Sequence, residues 1–166
     1  MVDMTRREVV NGFAGAAITA GAATASAANA DDLPGRQPTA TPSMSIRRYG
    51  ITDSAGGNPI ISLATVHERL VYLCGVTADP ARLGDIKDQT KQVLERIDRL
   101  LGAAGTTKSN LLTVQVWLTN MSHFQEHNSM WNEWVDPKNP PARACLHSPQ
   151  LWQPKMLVEI MAVAAK

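Results

Sequence analysis

The sharpest constraint on the fold is a change of hydrophobic period in the middle of the chain. From Asp85 to Leu101 the apolar residues Ile86, Val93, Leu94, Ile97, Leu100 and Leu101 recur on one helical face, with Lys91, Glu95, Arg96 and Asp98 largely outside it. Ala103-Ala104-Gly105 then supplies a glycine stop. Directly afterwards Leu112, Val114, Val116 and Leu118 alternate with Thr113, Gln115, Trp117 and Thr119, the period of two that a strand with unlike faces requires. The chain must therefore lay an amphipathic helix on a sheet.

The remaining segments extend this pattern. Strand-like runs at Ile46–Ile51, Ile61–Val66 and Arg69–Val76 precede the helix, separated by the loop Asp53-Ser54-Ala55-Gly56-Gly57 and a tight turn at His67-Glu68. A second helix is expected from about Ser122, a candidate N-cap, to Val135, with Phe124, Asn128, Trp131 and Val135 inward and Asp136-Pro137 as its end. Strands at Ala142–His147 and Leu157–Ala164 close the domain. The order β-β-β-α-β-α-β-β is that of a single α+β domain over residues 46–166, with both helices on one face of the sheet. Its other face would carry Tyr72, Trp117 and Met161, so self-association is the economical way to cover it.

Ahead of this domain, residues 1–30 read as an export signal. Arg6-Arg7 within Thr5-Arg6-Arg7-Glu8-Val9-Val10 looks like a twin-arginine motif, a soft Ala/Gly-rich stretch follows, and Ala28-Asn29-Ala30 is a small-x-small cleavage site. The stretch falls short of the ~20 strongly apolar residues of a spanning helix, so no membrane anchor is expected after cleavage. Residues 31–45, rich in Pro, Thr and Ser, read as a flexible leader. The expected location is periplasmic or secreted; a flexible extension on a cytoplasmic protein is the alternative. The net charge of +1 gives no reason to expect nucleic acid as a partner, and Arg47-Arg48 is an isolated basic pair without interleaved aromatics. An oxidising compartment permits a bond between the only cysteines, Cys74 and Cys145, although each sits in an apolar run where a free buried thiol is common.

Two charges interrupt the apolar runs near the C-terminus: Arg143 in Ala142-Arg143-Ala144-Cys145-Leu146, and Glu159 in Leu157-Val158-Glu159-Ile160-Met161. A buried charge is tolerated only when paired, wet or used, so the two point to a lined cleft. Arg143 presents a fork that matches a carboxylate bidentately, and an ion pair with Glu159 is the simpler alternative. Glu159 suits the handling of a water or its proton, or else the balancing of Arg143. Cys145, two residues on, shares the strand face of Arg143, and a thiolate nucleophile there has only His147 nearby in sequence. Gly75 would let a ligand approach the backbone, and Asn128 is either a buried polar tie or a cleft contact. His123-Phe124-Gln125-Glu126-His127 matches H-x-x-E-H letter for letter, but no third ligand is evident; a solvated helix face is the expectation, with no metal.

Pro141-Ala142-Arg143-Ala144-Cys145 followed by Val158-Glu159-Ile160 resembles the end of the RidA (YjgF) family of small imine and enamine deaminases. Leu73-Cys74-Gly75, Gln89, Ala103-Ala104-Gly105, and Phe124 with Asn128 keep the family's order, so the resemblance spans roughly residues 46 to 166. It implies a homotrimer with clefts between subunits, a substrate carboxylate on Arg143, water or proton handling by Glu159, a contact role for Cys145 chiefly through its backbone, and no cofactor. The implied reaction is hydrolysis of a small carboxylated imine or enamine to a keto acid and ammonia; a non-catalytic ligand-binding or chaperone-like module is the alternative. Two departures stand out. Ile61-Ser62-Leu63-Ala64 aligns where family members carry a tyrosine, and the loop Ser148 to Pro154, with Trp152, is one residue longer.

Overall fold

The computed structural model describes residues 45–166; the expected export signal and nearly all of the expected leader lie outside the described residues. One sheet of seven strands forms the body: β1 (Arg47–Ile51), β2 (Ser62–His67), β3 (Leu70–Leu73), β4 (Val76–Thr77), β5 (Leu111–Leu118), β6 (Ala142–His147) and β7 (Val158–Ala165). Their spatial order is β1-β2-β3-β7-β5-β6, with β4 also paired to β7. All pairings are antiparallel except β5 with β6, which the helix between them makes parallel, so the sheet is mixed.

Helix α1 (Ile86–Ala104) begins where the Asp85 side chain accepts from the Asp88 N–H and ends at Gly105, whose φ of 83° is the left-handed conformation glycine adopts freely. It packs across β2, β3, β4 and β7, burying Ile86, Val93, Leu94, Ile97 and Leu101 in one core with Ala64, Val71 and Ile160. Helix α2 (Phe124–Trp134) lies beside α1. Its entry differs from expectation: Asn120, not Ser122, is the capping side chain, accepting from the Ser122 N–H at 2.9 Å to start a 3-10 turn that runs into α2.

Two local corrections follow from register. His67 pairs with Leu70, so the hairpin turn is Glu68-Arg69, one residue later than read, with Glu68 at φ 54°. The expected strand Arg69–Val76 is broken into β3 and β4. Tyr72 opposes Val163 and Val76 opposes Ile160, four residue steps against three, so Cys74-Gly75 holds a β-bulge. Gln89, 1% exposed, fastens the long loop before β7 to α1: its amide donates to the carbonyls of Gly84 and Lys155 and accepts from the Leu157 N–H. The face away from the helices carries Tyr72, Trp117 and Met161 as expected, with Tyr72 42% exposed and Leu146 beside them on the edge strand.

Candidate functional site

Directly paired residues in a sheet share a face, and β5 therefore sorts the two charges. Val114 pairs with Arg143 and Ala162 on the helix-covered side, whereas Trp117 pairs with Glu159 on the open side. Three steps along β5 separate the two rows, an odd number, so Arg143 and Glu159 lie on opposite faces of one chain's sheet. One chain by itself therefore does not bring the two charges into one cleft. This placement also removes the simple ion pair, since neither residue is in an ion pair among the described residues.

Arg143 is instead held by α2 and α1. Its Nη1 donates to Asn128 Oδ1 at 2.9 Å, its Nη2 donates to His127 Nε2 at 2.7 Å, and the guanidinium lies 4.7 Å from the ring centre of Trp131. Residues 127, 128 and 131 fall on one face of successive helical turns, which is why one helix supplies all three contacts. A guanidinium only donates, so Nε2 of His127 must carry the lone pair and Nδ1 the proton. That Nδ1–H donates to Thr90 Oγ1 on α1 at 3.1 Å. Burial first, and then the Arg143 charge, push the His127 pKa down to about 4, so the imidazole is neutral near pH 7. The Arg143 Nε–H is buried without a partner among the described residues.

The expectation of a solvated face for His127 is thus wrong: it is 0% exposed. A neutral imidazole with both nitrogens hydrogen-bonded can be buried, and those same bonds leave no lone pair for a metal. Asn128 turns out to be a polar tie to Arg143. His127, Thr90 and Trp131 were missed as parts of the site, because nothing in their local pattern marks what lies across from them. Cys145 does share the face of Arg143, but burial pushes its thiol pKa up, partly offset by Arg143, which disfavours a thiolate. His147 donates from Nε2 to the Thr119 carbonyl at 3.2 Å, and both cysteines are free thiols.

Glu159 lines a cavity of about 780 Å³ together with Gly75, Cys74, Thr77, Ile61 and Trp152. The β-bulge places Gly75 against the Glu159 carboxylate so closely that a β-carbon at position 75 would collide with it. Burial raises the Glu159 pKa above the ordinary carboxylate value. Trp152, from the longer loop, closes one side, donating from Nε1 to Thr77 Oγ1 at 3.2 Å. Ile61 fills the aligned tyrosine position with an aliphatic surface. A carboxylate with a raised pKa in a largely apolar cavity is a better proton acceptor than an ordinary one; a fixed guanidinium can grip an anion. One chain does not place them in the same opening.

Known proteins are similar to this chain in sequence and fold. The sequence profile of the family described as endoribonuclease L-PSP matches residues 60–166. A RutC family protein of Haemophilus influenzae is 38% identical over 104 residues, 63% of this chain and 89% of that protein. The RutC family protein YoaB of Escherichia coli is 35% identical over 101 residues, 60% of this chain and 85% of its own length. Among solved structures, a YjgF family member from Neisseria meningitidis superposes with a TM-score of 0.67 at 32% identity, covering 74% of this chain and 96% of that one. With register, helices and profile in agreement, this chain belongs to the L-PSP family, also called RidA or YjgF.

Proposed function

We propose that this protein hydrolyses the C=N bond of a small carboxylated imine, or of an enamine after protonation at carbon, giving a keto acid and ammonia without a cofactor. The observation that carries this reading is Glu159, a carboxylate with a raised pKa and no ion pair, lining a cavity large enough for a small molecule. Glu159 takes a proton from a water whose oxygen adds to the imine carbon, while the C=N pair collects on nitrogen, which takes up that proton. The carbinolamine then breaks its C–N bond: its hydroxyl proton passes to nitrogen, ammonia leaves, and C=O remains. Atoms balance as imine plus water to ketone plus ammonia.

Arg143 would hold the substrate carboxylate, and the opposite-face geometry requires a second copy of the chain to bring it to Glu159. A homotrimer with clefts between copies meets that requirement. The apolar residues on the open face support it, since a second copy would cover them.

The test is ammonia release from a panel of enzymatically generated imino acids. Glu159→Gln should abolish release while keto-acid affinity persists. Arg143→Ala should lose roughly ten- to over a hundred-fold in kcat/KM, equivalent to ~1.5–3 kcal/mol, and Arg143→Lys should recover little because the fork is gone. Activity should also fall in acid at a higher pH than an ordinary carboxylate would dictate, because only ionised Glu159 accepts the proton. Keto-acid binding with no imine ever turned over would favour the non-catalytic binding module.

A further inference from the structure

The cavity that holds Glu159 has two cations the mechanism above does not use. Arg96 and Arg99 stand three residues apart on the same face of α1, and both line that cavity. Arg96 is half-buried, and its Nη1 donates to the Thr77 carbonyl at 2.8 Å. Thr77 is the residue paired with Glu159 across β4 and β7, so this bond holds the guanidinium against the strand pair that carries Glu159, on the wall of the cavity that both residues line. The charge is felt at the Cys74 thiol on the cavity wall, where it opposes the rise that burial imposes.

Neither arginine has a carboxylate partner, since the ion pair among the described residues joins Arg82 to Asp79. The other acid on the cavity wall, Asp53, already accepts from the Ala55 N–H at 3.0 Å. The remaining wall is largely aliphatic and aromatic, supplied by Ile61, Leu63, Leu100 and Trp152. At about 780 Å³ the space exceeds what a three- or four-carbon imino acid fills. A small, partly apolar chamber with a working carboxylate and two unneutralised guanidinium groups matches a ligand that carries a second anion.

We propose that Arg96 and Arg99 form an anion subsite in the Glu159 cavity and select substrates with a second carboxylate, namely dicarboxylic 2-imino acids over monocarboxylic ones. This rests on the reading of the cavity as the place of C=N hydrolysis. Arg96, held by Thr77, gives the directed contact; Arg99, at the exposed rim, adds attraction for the incoming anion.

The test is calorimetric titration of the whole protein with 2-oxoglutarate and with 2-oxobutyrate, the stable keto acids that correspond to a dicarboxylic and a monocarboxylic imine. The wild type should bind 2-oxoglutarate at least ten-fold tighter. That ratio should fall to near one in Arg96→Gln plus Arg99→Gln, with circular dichroism unchanged. Arg99→Gln alone, at an exposed position, should lower the ratio even if the double variant does not fold. Equal affinities in the wild type, no binding of either acid, or a ratio untouched by Arg99→Gln and the double variant would overturn the subsite. Because the readout is binding, failure of imine hydrolysis with the ratio intact rejects the reaction alone. Hydrolysis without dicarboxylate preference rejects the subsite alone.

Discussion

At the scale of single residues, His127 has the most definite consequence. Its pKa is lowered to about 4 in the fold, whereas in the unfolded chain it titrates at ~6.5. Between these values the unfolded state binds the extra proton, so the stability contributed by a neutral His127 is complete above about pH 6.5 and is lost as pH falls towards 4. Differential scanning calorimetry should show that loss, an effect of up to ~3 kcal/mol. His127→Gln offers an acceptor to Arg143 without titrating, so this part of the acid dependence should vanish. An unchanged pH profile would mean that His127 does not carry it.

Gly75 gives a second test at this scale. A methyl group at position 75 would collide with the Glu159 carboxylate, so Gly75→Ala must displace the proposed proton acceptor. Since the β-bulge is not at positive φ, the fold should tolerate the change better than the reaction does. The expected result is a melting temperature near wild type with at least a ten-fold drop in kcat. Full activity would remove Glu159's present position from the mechanism.

Among elements, the joint between α1 and the loop before β7 is the critical one. Gln89 uses its amide for three bonds and is buried. Gln89→Leu keeps the volume but strands the Leu157 N–H and two carbonyls, at about 1–3 kcal/mol for each group left unsatisfied. Urea denaturation should report a destabilisation of at least ~2 kcal/mol. The same loop carries Trp152 to the cavity, so the variant should also weaken keto-acid binding. A stable variant with altered binding would separate the loop's two roles.

For the whole molecule, opposite-face placement of Arg143 and Glu159 makes a strong prediction about assembly. Light scattering of the protein should report three chains. If each site takes Arg143 from one copy and Glu159 from the next, refolding a mixture of Arg143→Ala and Glu159→Gln chains restores about a quarter of the wild-type sites by random assortment. A mixture as inactive as its parents would place each site within one chain and contradict the register of β5 with β6 and β7.

The sequence by itself determined the elements and the side each one buries. The helical period of Asp85–Leu101 and the alternation of Leu112–Thr119 depend only on neighbours along the chain, and they survive into α1 and β5 with small changes of boundary. Arg143, Cys145, Glu159 and Gly75 were legible for the same reason, as charges in apolar strands or as family residues in register. Only the tertiary structure decided what those residues face. Register across β5 put Arg143 and Glu159 on opposite sides, and packing of α2 against α1 buried His127 between Thr90 and Arg143. The one-residue excess at Cys74-Gly75 split a predicted strand and seated a glycine against Glu159. Each of these joins groups far apart in sequence. Local periodicity records the environment a residue needs but not which distant group supplies it, since that choice is made by the packing of the whole sheet and its helices.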